Sequence, residues 1–176
     1  MYLSLTAWSL PACTLQEAAQ ISNALGIGAL DVGLFYASAL DKGEILSDPK
    51  LAAAVLDSIG VKVPNYYHLF GEGLDGRNLA LSGTLDDNLK DLNQVLTFAD
   101  AAGIGSVFIL PGIVNPGQSR ADAEAVSTAS LHEMVALAKD HKAQLCIEPH
   151  VHSFAESPAI VQRLVENTGV KLALDY

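Results

Sequence analysis

The amino-acid sequence predicts an α/β fold with a parallel sheet, and three observations carry that prediction. Apolar strand-like runs alternate with helix-like periodic segments along all 176 residues. Parallel strands need long crossover connections, so such alternation is the mark of a parallel sheet. A short signature also recurs where helix signals give way to strand signals: Leu25-Gly26-Ile27-Gly28, Ile59-Gly60-Val61-Lys62, Ala102-Gly103-Ile104-Gly105 and Thr168-Gly169-Val170-Lys171. The second residue of each fits the position just past a helix, where positive φ is wanted. Its four glycines are separated by 34, 43 and 66 residues, the last being nearly two repeats. Finally, 50% of the chain is hydrophobic and 17% charged, which supplies a core and argues against disorder.

The elements follow in order. Tyr2 to Leu10 is the first strand segment. Thr14 and Glu17 form a capping box that opens a helix reaching about Leu25. Ile27 to Phe35 is the second strand. Ser47-Asp48-Pro49 opens a helix with an apolar stripe of Leu51, Val55, Leu56 and Ile59. Val61 to Phe70 is the third strand. Thr84 caps a helix carrying Leu85, Leu89, Leu92, Leu96 and Ala99 on one face. Ser106 to Leu110 is the fourth strand. A helix with Leu131, Val135 and Ala138 lies between Arg120 and Lys142. Gln144 to Glu148 is the fifth strand, Ser157-Pro158 opens the last helix through Ile160, Val161, Leu164 and Val165, and Val170 to Asp175 is the sixth strand.

The length suits one domain over residues 1–176. Two architectures share this order: an open doubly wound sheet, and the first six strands and five helices of a (β/α)8 barrel of about 250 residues. The last strand has no helix after it to cover it, which favours the barrel.

The formal net charge of −10 opposes phosphate backbones, so nucleic acid is not an expected partner. No apolar run approaches the roughly 20 residues of a membrane span, and the amino terminus lacks the pattern of a signal peptide. Cys13 and Cys146 form neither a metal pair nor a disulfide framework. Cys146 lies in an apolar run and reads as a buried thiol, consistent with a cytoplasmic protein.

Gly71 to Gly76, "GEGLDG", matches the spacing of a dinucleotide loop. No helix opens from it, and Glu72 and Asp75 would face a pyrophosphate, so it reads as a flexible loop. Phosphate-loop and serine-hydrolase motifs are absent from the sequence.

"CIEPHVHS", Cys146 to Ser153, is the segment richest in chemistry. Glu148 closes the fifth strand, at the end where parallel α/β folds build their sites. Asp175 closes the sixth strand at the equivalent level. Carboxylates on adjacent strands, about 5 Å apart along the backbone, repel unless a cation joins them. Oxygen donors with an added imidazole suit Mn²⁺, Mg²⁺ or Co²⁺.

His150 is a candidate ligand or substrate contact, and His152 a weaker one. His68, near the end of the third strand, and Trp8, near the end of the first, are candidate substrate contacts, with core packing the alternative for Trp8. Asp31 on the second strand orients a ligand or stays structural. His132 and His141 read as surface residues.

The endings "LCIEPH" and "KLALDY", after this β/α repeat, resemble the sugar phosphate isomerase/epimerase superfamily, the xylose isomerase-like TIM barrel group. In that family a Glu ends strand 5 and an Asp ends strand 6, matched by Glu148 and Asp175. A His ending strand 7 and a Glu ending strand 8 complete a divalent metal site. A histidine also usually follows the Asp by three positions. The sequence stops one residue after Asp175, so the resemblance implies that these last ligands lie beyond it or come from a partner chain.

The resemblance further implies a divalent ion (Mn, Co, Mg or Zn) and a sugar or sugar-phosphate substrate. Isomerisation or epimerisation would run through an enediolate, with Glu148 as metal ligand and acid/base and His150 near the substrate. The alternatives are a lyase, dehydratase or hydrolase on the same barrel, or a non-catalytic fragment that binds a sugar or partner. A homo-oligomer is compatible with the open sheet edges.

Overall fold

The structure, a computed structural model, describes residues 3–174. Six strands alternate with helices as the sequence predicts. In chain order these are β1 (Leu5–Thr6), α1 (Leu15–Ala24), β2 (Leu30–Asp31), α2 (Lys42–Ser47), α3 (Pro49–Asp57), β3 (Asn65–Tyr67), α4 (Leu85–Ala102), β4 (Ser106–Ile109), α5 (Arg120–Ala138), β5 (Gln144–Ile147), α6 (Pro158–Thr168) and β6 (Lys171–Leu172). Helix α2 was not expected. It opens at Asp41, whose carboxylate accepts the Glu44 N–H at 3.0 Å.

The strands are shorter than their apolar runs, for local reasons. After β1, Ala7–Ser9 winds into a 3-10 turn, with Leu10 N–H donating to Ala7 O at 3.0 Å. Before β3, Pro64 has no N–H for a ladder. Its carbonyl still accepts from Gly105 and Ser106 at 3.0 and 3.1 Å. Helix boundaries fare better, because caps act within a single turn. Thr14 and Glu17 complete both halves of their capping box. Asp48 and Ser157 cap α3 and α6, each with proline at the first helical turn. Gly26, Gly60, Gly103 and Gly169 all have φ between 69° and 74°. A Cβ at any of them would meet nothing within 4 Å, so backbone conformation alone selects glycine there.

The chain forms two compact units. One comprises residues up to His68 together with Gln94–Val107; the other comprises Leu69–Asn93 and the residues from Phe108 onward. In the first, β1 and β2 pair in parallel, Leu5 opposite Leu30 and Thr6 opposite Asp31. Parallel bridges Ala29–Lys62 and Val32–Tyr66 join β2 to the β3 region. Leu30, Val32, Tyr66, Phe98 and Val107 are fully buried. The Tyr66 and Phe98 rings meet edge-on with centroids 5.3 Å apart. The expected stripe on α3 is half right. Leu56 and Ile59 are buried beside Ala52 and Ala53, while Leu51 and Val55 are exposed.

In the second unit, β5 and β6 pair in parallel, Cys146 opposite Lys171 and Ile147 opposite Leu172. Glu148 N–H donates to Ile109 O at 3.0 Å, and Ala173 N–H to Ile147 O at 2.9 Å. Helix α5 buries Ala123, Ser127, Ser130, Leu131 and Met134. Val135 and Ala138, predicted for that face, are only half-buried. Two serines take part because each finds an acceptor: Ser127 Oγ donates to Pro111 O at 2.8 Å and Ser130 Oγ to Leu79 O at 3.2 Å. Arg163 of α6 grips Glu124 of α5 with two bonds of 2.7 and 2.8 Å. No described helix is long and apolar enough to cross a membrane.

Candidate functional site

Glu148 directly follows β5. Leu145, Cys146 and Ile147 are buried, and burial pushes the Cys146 thiol up from its ordinary pKa, opposed by nearby Lys171. The ladder ends at Glu148 because Pro149 cannot donate. The Glu148 side chain is half-buried. Beyond it the chain turns: Ser153 N–H donates to His150 O at 3.0 Å, and His152 adopts φ 70°. His152 is exposed, its N–H held by the Glu156 carboxylate.

His150 is half-buried, with Nδ1 2.6 Å from Val151 O. A carbonyl only accepts, so Nδ1 carries the hydrogen in that contact. In a neutral ring Nε2 then keeps the lone pair for a metal or a substrate hydroxyl. Asp175, the other expected ligand, lies outside the described residues. Among the described residues no three His, Cys, Asp or Glu side chains converge.

The first unit holds the remaining predicted residues. Asp31 is part of a polar layer across the strands: its carboxylate accepts from Ser4 Oγ and Asn65 Nδ2, both at 2.8 Å, and Asn65 Oδ1 accepts from Ser106 Oγ. His68 follows β3 directly and is fully buried, its ring 6.1 Å from that of Tyr66. Trp8 sits in the 3-10 turn after β1, half-buried against Phe35 and Tyr67, with centroids at 6.2 and 6.0 Å. Gly33 makes room for this ring, since a Cβ there would lie 3.2 Å from both Trp8 and Tyr67. His132 is exposed as expected, and His141 is half-buried, its Nε2 3.4 Å from Asn93 Oδ1.

Two groups escaped the sequence reading. Phe35 and Tyr36 join the aromatic cluster, and Tyr36 has φ 59°, unusual for a non-glycine residue. The adjacent pair Phe35-Tyr36 after a strand was the available signal. In the second unit, buried Asn78 accepts from Ala80 N–H and Ile113 N–H at 3.1 and 3.3 Å and donates to Asn115 at 3.0 Å. Gln118 closes the network on Ala80 O at 2.8 Å. It joins the loops after β3 and β4. Amides in loops carry no periodicity, so nothing in the sequence marked them.

Comparison with known proteins fixes the family. The model of the xylose isomerase-like TIM barrel matches residues 15–176. The chain belongs to that family. Its sheet is therefore part of a barrel, not a doubly wound sheet.

Solved structures agree on the fold. A structure of the IOLI protein with a bound zinc atom is similar at TM-score 0.72 and 12% identity, covering 99% of this chain and 62% of that one. The probable 3-DHS dehydratase AsbF from Bacillus anthracis gives 0.71 and 11%, covering 100% and 63%. The 3-keto-D-glucoside 4-epimerase YcjR from E. coli gives 0.70 and 11%, covering 99% and 67%. The chain thus spans 62% of the first of these structures. A search of curated protein sequences found no match.

Proposed function

We propose that the protein is a divalent-metal-dependent isomerase or epimerase acting on a sugar or sugar phosphate. The supporting observation is Glu148: a half-buried carboxylate leaving a buried parallel strand, with an imidazole two residues on, in a xylose isomerase-like chain. This oxygen and nitrogen donor chemistry fits Mn, Co, Mg or Zn. Glu148 and Asp175 would hold the ion. When bound, such an ion supplies Lewis-acid polarisation of a carbonyl.

The chain's own residues do the rest. Glu148 removes a proton from the carbon beside the carbonyl, leaving an enediolate; in isomerisation it returns the proton to the neighbouring carbon on the same face, whereas epimerisation takes its proton from a second acid on the opposite face. His150 Nε2 meets a sugar hydroxyl. His68, fully buried, belongs to the framework of the first unit, and Asp31 keeps β1, β2 and β3 in register there. Dehydration is the second reading, supported by the likeness to a dehydratase. It begins with the same proton removal and then expels a neighbouring hydroxyl as water.

Metal analysis of the purified protein tests the proposal. We expect stoichiometric Mn, Co, Mg or Zn, and about 10-fold or greater weakening of metal binding in Glu148→Ala. Deuterium uptake from D₂O into a ketose beside its carbonyl is expected in the native chain and lost in Glu148→Gln. Absence of metal, with thermal stability indifferent to a chelator, overturns the reading. Product analysis separates epimerisation from dehydration.

A further inference from the structure

The segment that carries Glu148 and His150 is fastened at both ends to the stretch after β4. Glu148 N–H donates to Ile109 O and Phe154 N–H to Gly112 O, both at 3.0 Å. Between these anchors Glu148, Pro149 and His150 are half-buried, and Val151 and His152 are exposed. Ser153, Phe154 and Ala155 are then buried again. Packing therefore does little to place the His150 ring, and the anchors decide where it lies. The second anchor bears on it more closely, because Ser153 N–H donates to His150 O at 3.0 Å.

That anchor is itself held on both sides. Arg120, the first residue of α5, donates from Nη1 to Phe154 O, so Phe154 is gripped at its N–H and at its carbonyl. The helix does not need this arginine for its start, since Ser119 and Asp122 form the capping box there. Arg120 is exposed, and fixing so long a side chain costs conformational entropy. Gly112 has φ 106°, and a Cβ there would lie 2.7 Å from Ala80 N and 3.0 Å from Asn78 Oδ1. Backbone conformation and space both demand glycine. Buried Asn78 holds the next residue in turn, accepting from Ile113 N–H at 3.3 Å.

We infer that Gly112 and Arg120 are positioning residues for His150: by fixing Phe154 they keep closed the turn that holds hydrogen on Nδ1 and leaves the Nε2 lone pair available to a metal or a substrate hydroxyl. The tautomer of a neutral imidazole is set by the hydrogen bond that its other nitrogen makes. Here that bond runs from Nδ1 to Val151 O at 2.6 Å, inside the turn that Ser153 closes. A loosened turn lets the Val151 carbonyl rotate away and water take its place, and the tautomer is then no longer fixed. This role rests on the reading of His150 as a site residue, and adds to it what keeps the ring in its working form.

Nitrogen-15 NMR of histidine-labelled protein reads the tautomer directly. It is recorded at about pH 8.5, where an ordinary imidazole is neutral, in EDTA so that metal plays no part. The native chain should show His150 protonated on Nδ1, with His150→Gln assigning the signals. Arg120→Met removes one grip on Phe154 from an exposed position. It should lower the Nδ1–H form of His150 to about half or less, with exposed His132 and the thermal midpoint close to native. Arg120→Lys, which keeps a donor, should restore most of it. Gly112→Ala should act more strongly still, and if it fails to fold the arginine variants decide. A native His150 protonated on Nε2, an unchanged tautomer in Arg120→Met, or no recovery in Arg120→Lys each overturns the assignment. Absence of metal would remove the isomerase reading without altering these spectra, and failure here leaves metal binding at Glu148 untouched.

Discussion

The ends of β3 and β5 occupy the same topological place and meet opposite environments. At β3, Tyr66, Tyr67 and His68 are buried in a row. At β5, Ile147 is buried but Glu148, Pro149 and His150 are half-buried, and His152 is exposed. Both segments put polar chemistry after an apolar strand. The difference lies in what covers them: Phe98 of α4 packs on Tyr66, whereas the chain turns away sharply at His150 to His152. The β3 end is thus framework with polar groups inside it, and the β5 end is chemistry carried on a framework.

Substitutions at these two ends should differ in kind. The largest effect is expected from Tyr66→Ala, which empties a fully buried ring site and should cost about 3–5 kcal/mol. His150→Ala, at the other end, should stay within about 0.5 kcal/mol by denaturant titration. Equal losses at the two would erase the contrast. Tyr66→Phe sharpens it. The Tyr66 hydroxyl is buried without a hydrogen-bond partner among the described residues, and burial pushes its pKa far up. Removing it should stabilise the protein by about 1 kcal/mol or more.

Next in size is Asn78→Ala. It strips the acceptor from Ala80 and Ile113 N–H in the loops after β3 and β4 and should cost about 1–3 kcal/mol. Amide exchange should quicken first at Ala80 and Ile113. Unchanged exchange would show that these loops are held by something else.

The smallest effect belongs to the α5–α6 pair. Its hydrogen bonds to Arg163 hold the Glu124 carboxyl below the usual range. A lowered folded pKa contributes stability above the unfolded value, and that stability is lost as pH falls through the folded one. The native protein should therefore lose slightly more stability than Glu124→Gln as pH drops below about 4.5, a difference that salt should shrink. An identical acid profile in the variant would leave the pair without a role in stability.

Some features were written in short stretches of sequence. The β/α order, the Thr14–Glu17 box, the Asp48 and Ser157 caps and the glycines at 26, 60, 103 and 169 were legible because capping and φ preference act within a turn of chain. Glu148 at the end of β5 was legible for the same reason: an apolar run stops at a carboxylate followed by proline. Tertiary structure decided the rest. It buried Ser127 and Ser130 and exposed Leu51 and Val55, against their hydrophobicity, because distant carbonyls and neighbouring elements set what each face meets. It also brought Asp31 to Ser4 and Asn65, and gathered Trp8, Phe35, Tyr36 and Tyr67 around Gly33. Such meetings join residues far apart in sequence, and no local preference of the chain encodes them.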